Sequence, residues 1–237
     1  MEERINQQAN YTKEISREFF KNVYSYMFGA LAISGILASY CGNEAFFVKY
    51  FMNSEGGISP LFYVVAFAPV GLGLLIQSAY QRLSYGLLLG LFVAYSALMG
   101  VSLSVIFLVY ALPTLASTFF VTAGAFAGMA ILGYTTKTDL TKMGSMLYMV
   151  FIGIFIAGIV NIFMKSDTMG FVISVLGVFV FTGLTAYHMQ QLKTISQDAN
   201  IDTMNRQKLS LIGGLTLYIL FVNLFLSLLR LVGGSRD

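Results

Sequence analysis

Residues 209–231 read LSLIGGLTLYILFVNLFLSLLRL, an apolar run with no carboxylate and with its one cation, Arg230, beside its end. The hydrocarbon core of a bilayer is crossed by roughly 20 helical residues, so this run has the length and composition of a transmembrane helix. Residues 24–40, 61–79, 84–110, 114–134, 145–164 and 168–188 repeat the pattern, and none of the 11 acidic residues lies in any of these runs. The run at 84–110 is long enough to cross at a tilt. A lipid-facing barrel requires alternating rather than continuous hydrophobicity, and an open sheet cannot satisfy its backbone in lipid. The expected fold is an all-α membrane protein with seven transmembrane helices.

Composition leads to the same class. With 57% hydrophobic and 11% charged residues in a chain of 237, there is too little polar surface to cover a soluble globule. The expected partner is the lipid bilayer, with no nucleic acid. Connections are short and none is rich in Pro, Gly or Ser, so residues 1–237 read as a single integral membrane domain. Residues 1–23 form a cytoplasmic N-terminal segment without a convincing cleavage site. One cysteine, Cys41, excludes an intrachain disulfide. Of the 14 Lys and Arg residues, Arg4, Lys13, Arg17, Lys21, Arg82, Lys137, Lys142, Lys193, Arg206 and Lys208 fall on one side, against Lys49, Lys165, Arg230 and Arg236 on the other. Cations concentrate on the cytoplasmic side. The N-terminus is therefore expected in the cytoplasm and the C-terminus outside.

Before the first run, Tyr11, Ile15, Phe19 and Val23 recur every four residues among Lys13, Arg17 and Lys21. This pattern suits an amphipathic helix at the interface or a plain extension of the first span. Gly86 with Gly90, Gly124 with Gly128, and Gly153 with Ala157 are small residues four apart, a spacing expected to let helix backbones approach closely. Pro69 lies inside the second run and removes a helical hydrogen bond there.

Ionisable groups inside a membrane are costly and mark candidate functional positions. His188, the one histidine, closes the sixth run, with Thr182 and Thr185 preceding it at three-residue steps on the same helical face. In the seventh run Gly213, Thr216, Leu220, Asn223 and Ser227 share a face that should point inward, and Leu220 is its odd apolar member. Asn223 is expected to bridge two helices, and Thr216 and Ser227 to bond their own backbone. The connection 133–142 carries Thr136, Lys137 and Asp139, and Asp139 is placed to cap the following helix. It suits cytoplasmic anchoring, or docking of a partner. Other chemistries lack their parts. No lysine lies mid-span for a Schiff base, one His and one Cys cannot build a metal cage, and Gly100-Val101-Ser102-Leu103-Ser104 lacks the closing glycine of a nucleophile elbow. An intramembrane aspartyl protease would need two carboxylates in the spans. No enzyme activity, cofactor or bound metal is expected.

Tyr95-Ser96-Ala97-Leu98-Met99-Gly100 with Ile106-Phe107-Leu108-Val109-Tyr110, Gly133-Tyr134-Thr135-Thr136-Lys137-Thr138-Asp139-Leu140, Gly183-Leu184-Thr185-Ala186-Tyr187-His188-Met189-Gln190, and Leu215-Thr216-Leu217-Tyr218 leading to Asn223-Leu224-Phe225-Leu226 resemble the Bax-inhibitor-1-like, or transmembrane Bax inhibitor motif, family in its bacterial branch. The resemblance runs over nearly the whole chain. It implies a last helix at the centre of the bundle, wrapped by the other six, and a location in the bacterial inner membrane. It also implies a slow, pH-dependent calcium leak controlled by two aspartates sharing a proton, one on each of the last two helices. Closely spaced carboxylates cannot both ionise cheaply, and ionised they offer hard oxygen ligands to calcium. In this chain those positions hold His188 and Leu220. Calcium binding is put in doubt, whereas proton sensing can survive, because an imidazole titrates near ~6.5. Arg82 is the nearest candidate for the family's latch residue. The two functional expectations are a pH-sensitive ion leak, with calcium or protons as its cargo and His188, Leu220, Asn223, Thr185 and Thr216 about its pore or sensor, and a non-conducting protein that modulates a membrane partner such as a quality-control protease.

Overall fold

The computed structural model describes residues 2–54, 56–198 and 200–233, with side chains described from Lys13 onward. Arg4, Tyr11 and Arg236 therefore contribute only to the reading of the sequence; their side chains lie outside the described set. Helices account for the architecture: α1 Glu2–Cys41, α2 Glu44–Phe51, α3 Pro60–Ala79, α4 Tyr85–Leu103, α5 Ile106–Val109, α6 Leu112–Thr135, α7 Thr141–Met164, α8 Asp167–Gln197 and α9 Thr203–Val232. Among the described residues seven candidate spans are long and apolar enough to cross a membrane, α4 and α5 together forming one of them. The chain divides into two compact units, Met1–Ala111 with Ala199–Leu215, and Leu112–Asp198 with Thr216–Asp237.

In the first unit α4 packs on both α1 and α3, and α2 lies on α3. Residues 2–23 are an unbroken part of α1, and the stripe Phe19, Val23, Met27, Ala30, Ser34 and Ala38 is buried. Steps of three and four keep these residues on one helical face, so Phe19 and Val23 extend the packing face of the span. The run at 84–110 is not one tilted helix. The Ser104 hydroxyl donates to the Val101 carbonyl at 2.7 Å, and its N–H bonds the same oxygen at 3.2 Å, which ends α4 before the chain turns into α5.

Pro69 shows how a missing donor is compensated. α3 continues through it, but a proline has no N–H to give to the carbonyl four residues earlier, Val65. Ser102 of α4 supplies that bond, its Oγ donating to Val65 O at 2.7 Å while lying 3.0 Å from Leu98 O. In lipid no water can replace it. Ser102→Ala should cost about 1–2 kcal/mol in unfolding measured in detergent micelles, whereas in a Pro69→Ala background, where the intrahelical bond is restored, the same substitution should cost far less. A double-mutant cycle reads the difference, and equal costs in the two backgrounds would reject the pairing.

In the second unit α8 packs against both α6 and α7. α7 and α8 form a helical hairpin closed by Lys165 in the left-handed region, φ 51°, with its N–H on Asn161 O at 2.8 Å. The Asn161 side chain accepts the Ser166 N–H at 3.1 Å, and Ser166 caps α8 by accepting from Met169 N at 3.3 Å.

The regularly spaced small residues do not mediate helix contact. A Cβ added at Gly86, Gly90, Gly124, Gly128 or Gly153 meets nothing within 4 Å. Close approach occurs at other glycines. A Cβ on Gly100 would fall 2.7 Å from Ser34 O of α1, one on Gly214 would fall 2.6 Å from Tyr26 Cβ and 2.7 Å from Val23 O, and one on Gly133 would land on the Ala186 carbonyl oxygen of α8. A four-residue spacing shows that two glycines share a face. It carries no information about what that face meets.

Candidate functional site

α8 continues nine residues beyond His188, to Gln197, so His188 stands inside a helix rather than at its end. It is half-buried against α7, where the Tyr148 hydroxyl lies 2.6 Å from Nε2. The two rings meet edge-on at 5.9 Å, and Tyr187 completes an aromatic group 5.2 Å from His188 and 6.4 Å from Tyr148. Gly144 of α7 makes room for this group, because a Cβ there would come within 2.6 Å of the Tyr187 ring. The Tyr187 oxygen in turn accepts from Gln191 Nε2 at 2.5 Å.

A neutral imidazole offers one acceptor and one donor nitrogen, while an imidazolium offers two donors. With Nε2 unprotonated, the phenol donates to it. Protonation reverses that bond, forcing the phenol to turn its hydrogen away and accept. No carboxylate is carried by α6, by α7 or by α9; the titratable groups on these helices are Tyr148 and Lys142 of α7, Tyr134 of α6, and Arg206, Lys208, Tyr218 and Arg230 of α9. Lys193 is already engaged, donating to Tyr134 O at 2.7 Å with its ammonium 5.2 Å from that ring's centre, an arrangement that satisfies a carbonyl at the C-terminus of α6.

The other candidate residues are placed as follows. Thr185 is fully buried and donates to Phe181 O at 2.7 Å; Thr182 does the same to Val178 O at 2.7 Å. Leu220 is buried, at 5% exposure, and Thr216 is half-buried. Ser227 bonds its own helix at Asn223 O, 2.8 Å, and its hydroxyl sits where a Cβ on Gly177 of α8 would be, at 2.5 Å. Asn223 does not bridge two helices: its Nδ2 donates to Ile219 O at 2.8 Å, a carbonyl on its own helix that its side chain can reach without a partner. Arg82 is exposed in the turn between α3 and α4. Among the described residues no group of three or more His, Cys, Asp or Glu side chains is placed to hold a metal ion.

The connection after α6 is fixed by α8. Gln190 accepts the Leu140 N–H at 2.8 Å through Oε1 and donates to Thr138 O at 2.7 Å through Nε2, so one side-chain amide pairs with the backbone on both sides of Asp139. Asp139 accepts from the Thr141 hydroxyl at 2.6 Å and from the Thr141 N–H at 2.9 Å. These bonds hold its carboxyl below the ordinary carboxylate range. The interaction is therefore present at neutral pH and lost only as pH falls through that lowered value. The cap position itself is Leu140, and Asp139 stands one residue before it. Thr136 is half-buried with its Oγ1 accepting Thr138 N–H at 3.2 Å, whereas Lys137 and Lys142 are exposed. Sequence reasoning did not single out Tyr148, Gly144 or Lys193 for these roles. Gln190 closed one of the family motifs, which was the available signal.

A family model described as "Inhibitor of apoptosis-promoting Bax1" matches residues 16–237. The chain belongs to this family. It is 41% identical over 219 residues to Inner membrane protein YbhL of Escherichia coli K12, covering 92% of each chain. It is also 41% identical over 223 residues to a protein of Borreliella burgdorferi, covering 94% of each, and 37% identical over 222 residues to protein RP147 of Rickettsia prowazekii, covering 93% of this chain and 91% of the relative. Two of the family motifs meet in this structure, because Gly133 and Leu140 of one contact Ala186 and Gln190 of the other. Together with the seven apolar helices, the family makes this a multi-pass membrane protein.

Proposed function

We propose that this protein is a pH-responsive ion-leak pathway of the bacterial inner membrane in which His188, rather than a carboxylate pair, is the titrating group. The observation that carries the reading is the 2.6 Å bond between Tyr148 and His188. It couples the protonation state of the one histidine to the seating of α7 on α8. A proton taken up at Nε2 reverses that bond and places a cation in a low-dielectric contact without a counter-ion. Loosening α7 from α8 admits water to the imidazolium and relieves the cost. On this reading acidification raises conductance.

Purified protein in calcium-loaded liposomes tests the proposal. Flux is expected to rise as external pH falls. His188→Gln keeps a hydrogen-bonding partner for Tyr148 without titrating, and should flatten the profile while leaving the protein folded. Flux equal to that of empty vesicles at every pH would reject the leak, and an unchanged profile in His188→Gln would reject the sensor.

A further inference from the structure

Between α1 and α3 the chain builds a structure that the proposed leak does not use. α2 begins at a capped end, Asn43 Oδ1 accepting the Phe46 N–H at 2.9 Å. An antiparallel bridge between Met52 and Ile58 closes the loop behind it, with Ser59 N–H on Phe51 O at 2.8 Å. One flank of α2 is fastened to α3: Phe51 is buried with its ring edge-on to Phe62 at 5.5 Å, and Phe47 meets Phe62 at 6.1 Å. The adjoining flank is uncovered. There Tyr50 packs on Phe46 at 4.7 Å and remains 43% exposed, and Ile58 beside the bridge is 49% exposed. Helical periodicity puts Phe46, Phe47, Tyr50 and Phe51 on one arc, with the exposed Ala45 and Val48 on the other side and Lys49 at the edge beside Tyr50.

Two observations say what covers this flank. α2 is tied to the end of the spanning helix α1 by Gly42 and Asn43 alone and leads into the spanning helix α3 at Pro60, so it is held at the level where those helices leave the bilayer. The aromatic contact also passes through Phe62 to Tyr63 at 5.7 Å, and Leu61, Tyr63, Val64 and Phe67 are exposed apolar side chains on a helix long and apolar enough to cross a membrane. We propose that α2 is an interfacial helix lying along the bilayer surface, with Phe46 and Tyr50 among phospholipid headgroups and the first acyl carbons, Lys49 at the boundary, and Ala45 and Val48 toward water. A phenol suits that boundary because its ring is apolar and its hydroxyl wet. The Lys49 ammonium stands 5.1 Å from the centre of the Tyr50 ring, where its stem can follow the apolar surface while the charge reaches phosphate. A helix this short is not stable alone in water. Here aromatic contact on one flank and lipid on the other hold it.

The chain has no tryptophan, so one introduced indole reports alone. The full-length protein carrying Tyr50→Trp, reconstituted in phosphatidylcholine vesicles, should emit to the blue of Ala45→Trp. It should lose most of its emission to lipids brominated near the start of the acyl chain, and resist iodide. Ala45→Trp should show the reverse. Emission from Tyr50→Trp as open to iodide as that of Ala45→Trp would overturn the proposal, and so would shelter from both quenchers, which would mean that protein, including a second copy of this chain, covers the flank. Ile58→Trp reads the same surface from the loop if Tyr50→Trp does not fold.

Discussion

Gly133→Ala should destabilise the protein by about 3 kcal/mol or more, at or beyond the upper end of ordinary overpacking. The added methyl would land on the carbonyl oxygen of Ala186 and within 2.6 Å of its Cα. These are backbone atoms of α8, so no rotamer change can make room and the two helices must separate. Separation is costly in lipid, where association depends on close van der Waals contact rather than on a hydrophobic gain. The same movement strains the bonds on the following turns, Lys193 to Tyr134 and Gln190 to Thr138 and Leu140. Gly124→Ala and Gly128→Ala lie on the same helix, where the new methyl meets nothing within 4 Å. They should be neutral or slightly stabilising, because alanine favours helix over glycine by up to about 1 kcal/mol. Unfolding in mixed micelles compares the three. A Gly133→Ala protein as stable as Gly124→Ala would show that α6 and α8 are not in this contact.

That contrast marks what the sequence discloses and what it withholds. Runs of apolar residues were sufficient for the seven spans, because lipid imposes one length and one composition on every crossing helix. The spacing of Phe19 and Val23 showed a shared helical face but left open whether that face lies at the interface or extends the first span. Contact partners were not readable. Gly86, Gly90, Gly124 and Gly128 have a glycine four residues away and meet no side chain or backbone of another helix, while Gly100, Gly133, Gly144 and Gly214, none of them four residues from another glycine, sit against neighbouring chain. Periodicity identifies a face within one helix, and only the fold decides what lies opposite. Pro69 was visible as a lost donor, but nothing in the order of residues pointed to Ser102 as the replacement. Near His188 the sequence showed a histidine after two threonines. Both threonine hydroxyls are spent on their own helix, and the partner of the imidazole is a tyrosine 40 residues earlier. The short α2 helix was hidden for a different reason. Its aromatic residues are bounded by Asn43 and by a turn at Gly56, too few residues for a period to emerge.

Gln190→Leu should cost about 2–3 kcal/mol, as expected when two backbone groups lose charge-neutral partners and one of them lies on a buried residue. Leu140 is 8% exposed, so its N–H is poorly placed to recover a bond from water, whereas the Thr138 carbonyl is on an exposed residue and can. The loss therefore falls mainly on the Leu140 side. Gln190→Glu separates the two halves of the clamp. A carboxylate can still accept from Leu140 N–H but has no hydrogen to give Thr138 O, and should be intermediate in stability between wild type and Gln190→Leu at neutral pH. Because Leu140 is the cap residue of α7, release of this backbone also frees the start of that helix, four residues before Gly144 meets Tyr187 and eight before Tyr148 meets His188. Amide exchange gives the local readout. Leu140 and Thr141 should lose protection in Gln190→Leu, Thr141 should keep part of its protection through Asp139, and amides in the middle of α8 should be unchanged. Retention of Leu140 protection in Gln190→Leu would mean that the connection holds its shape without α8.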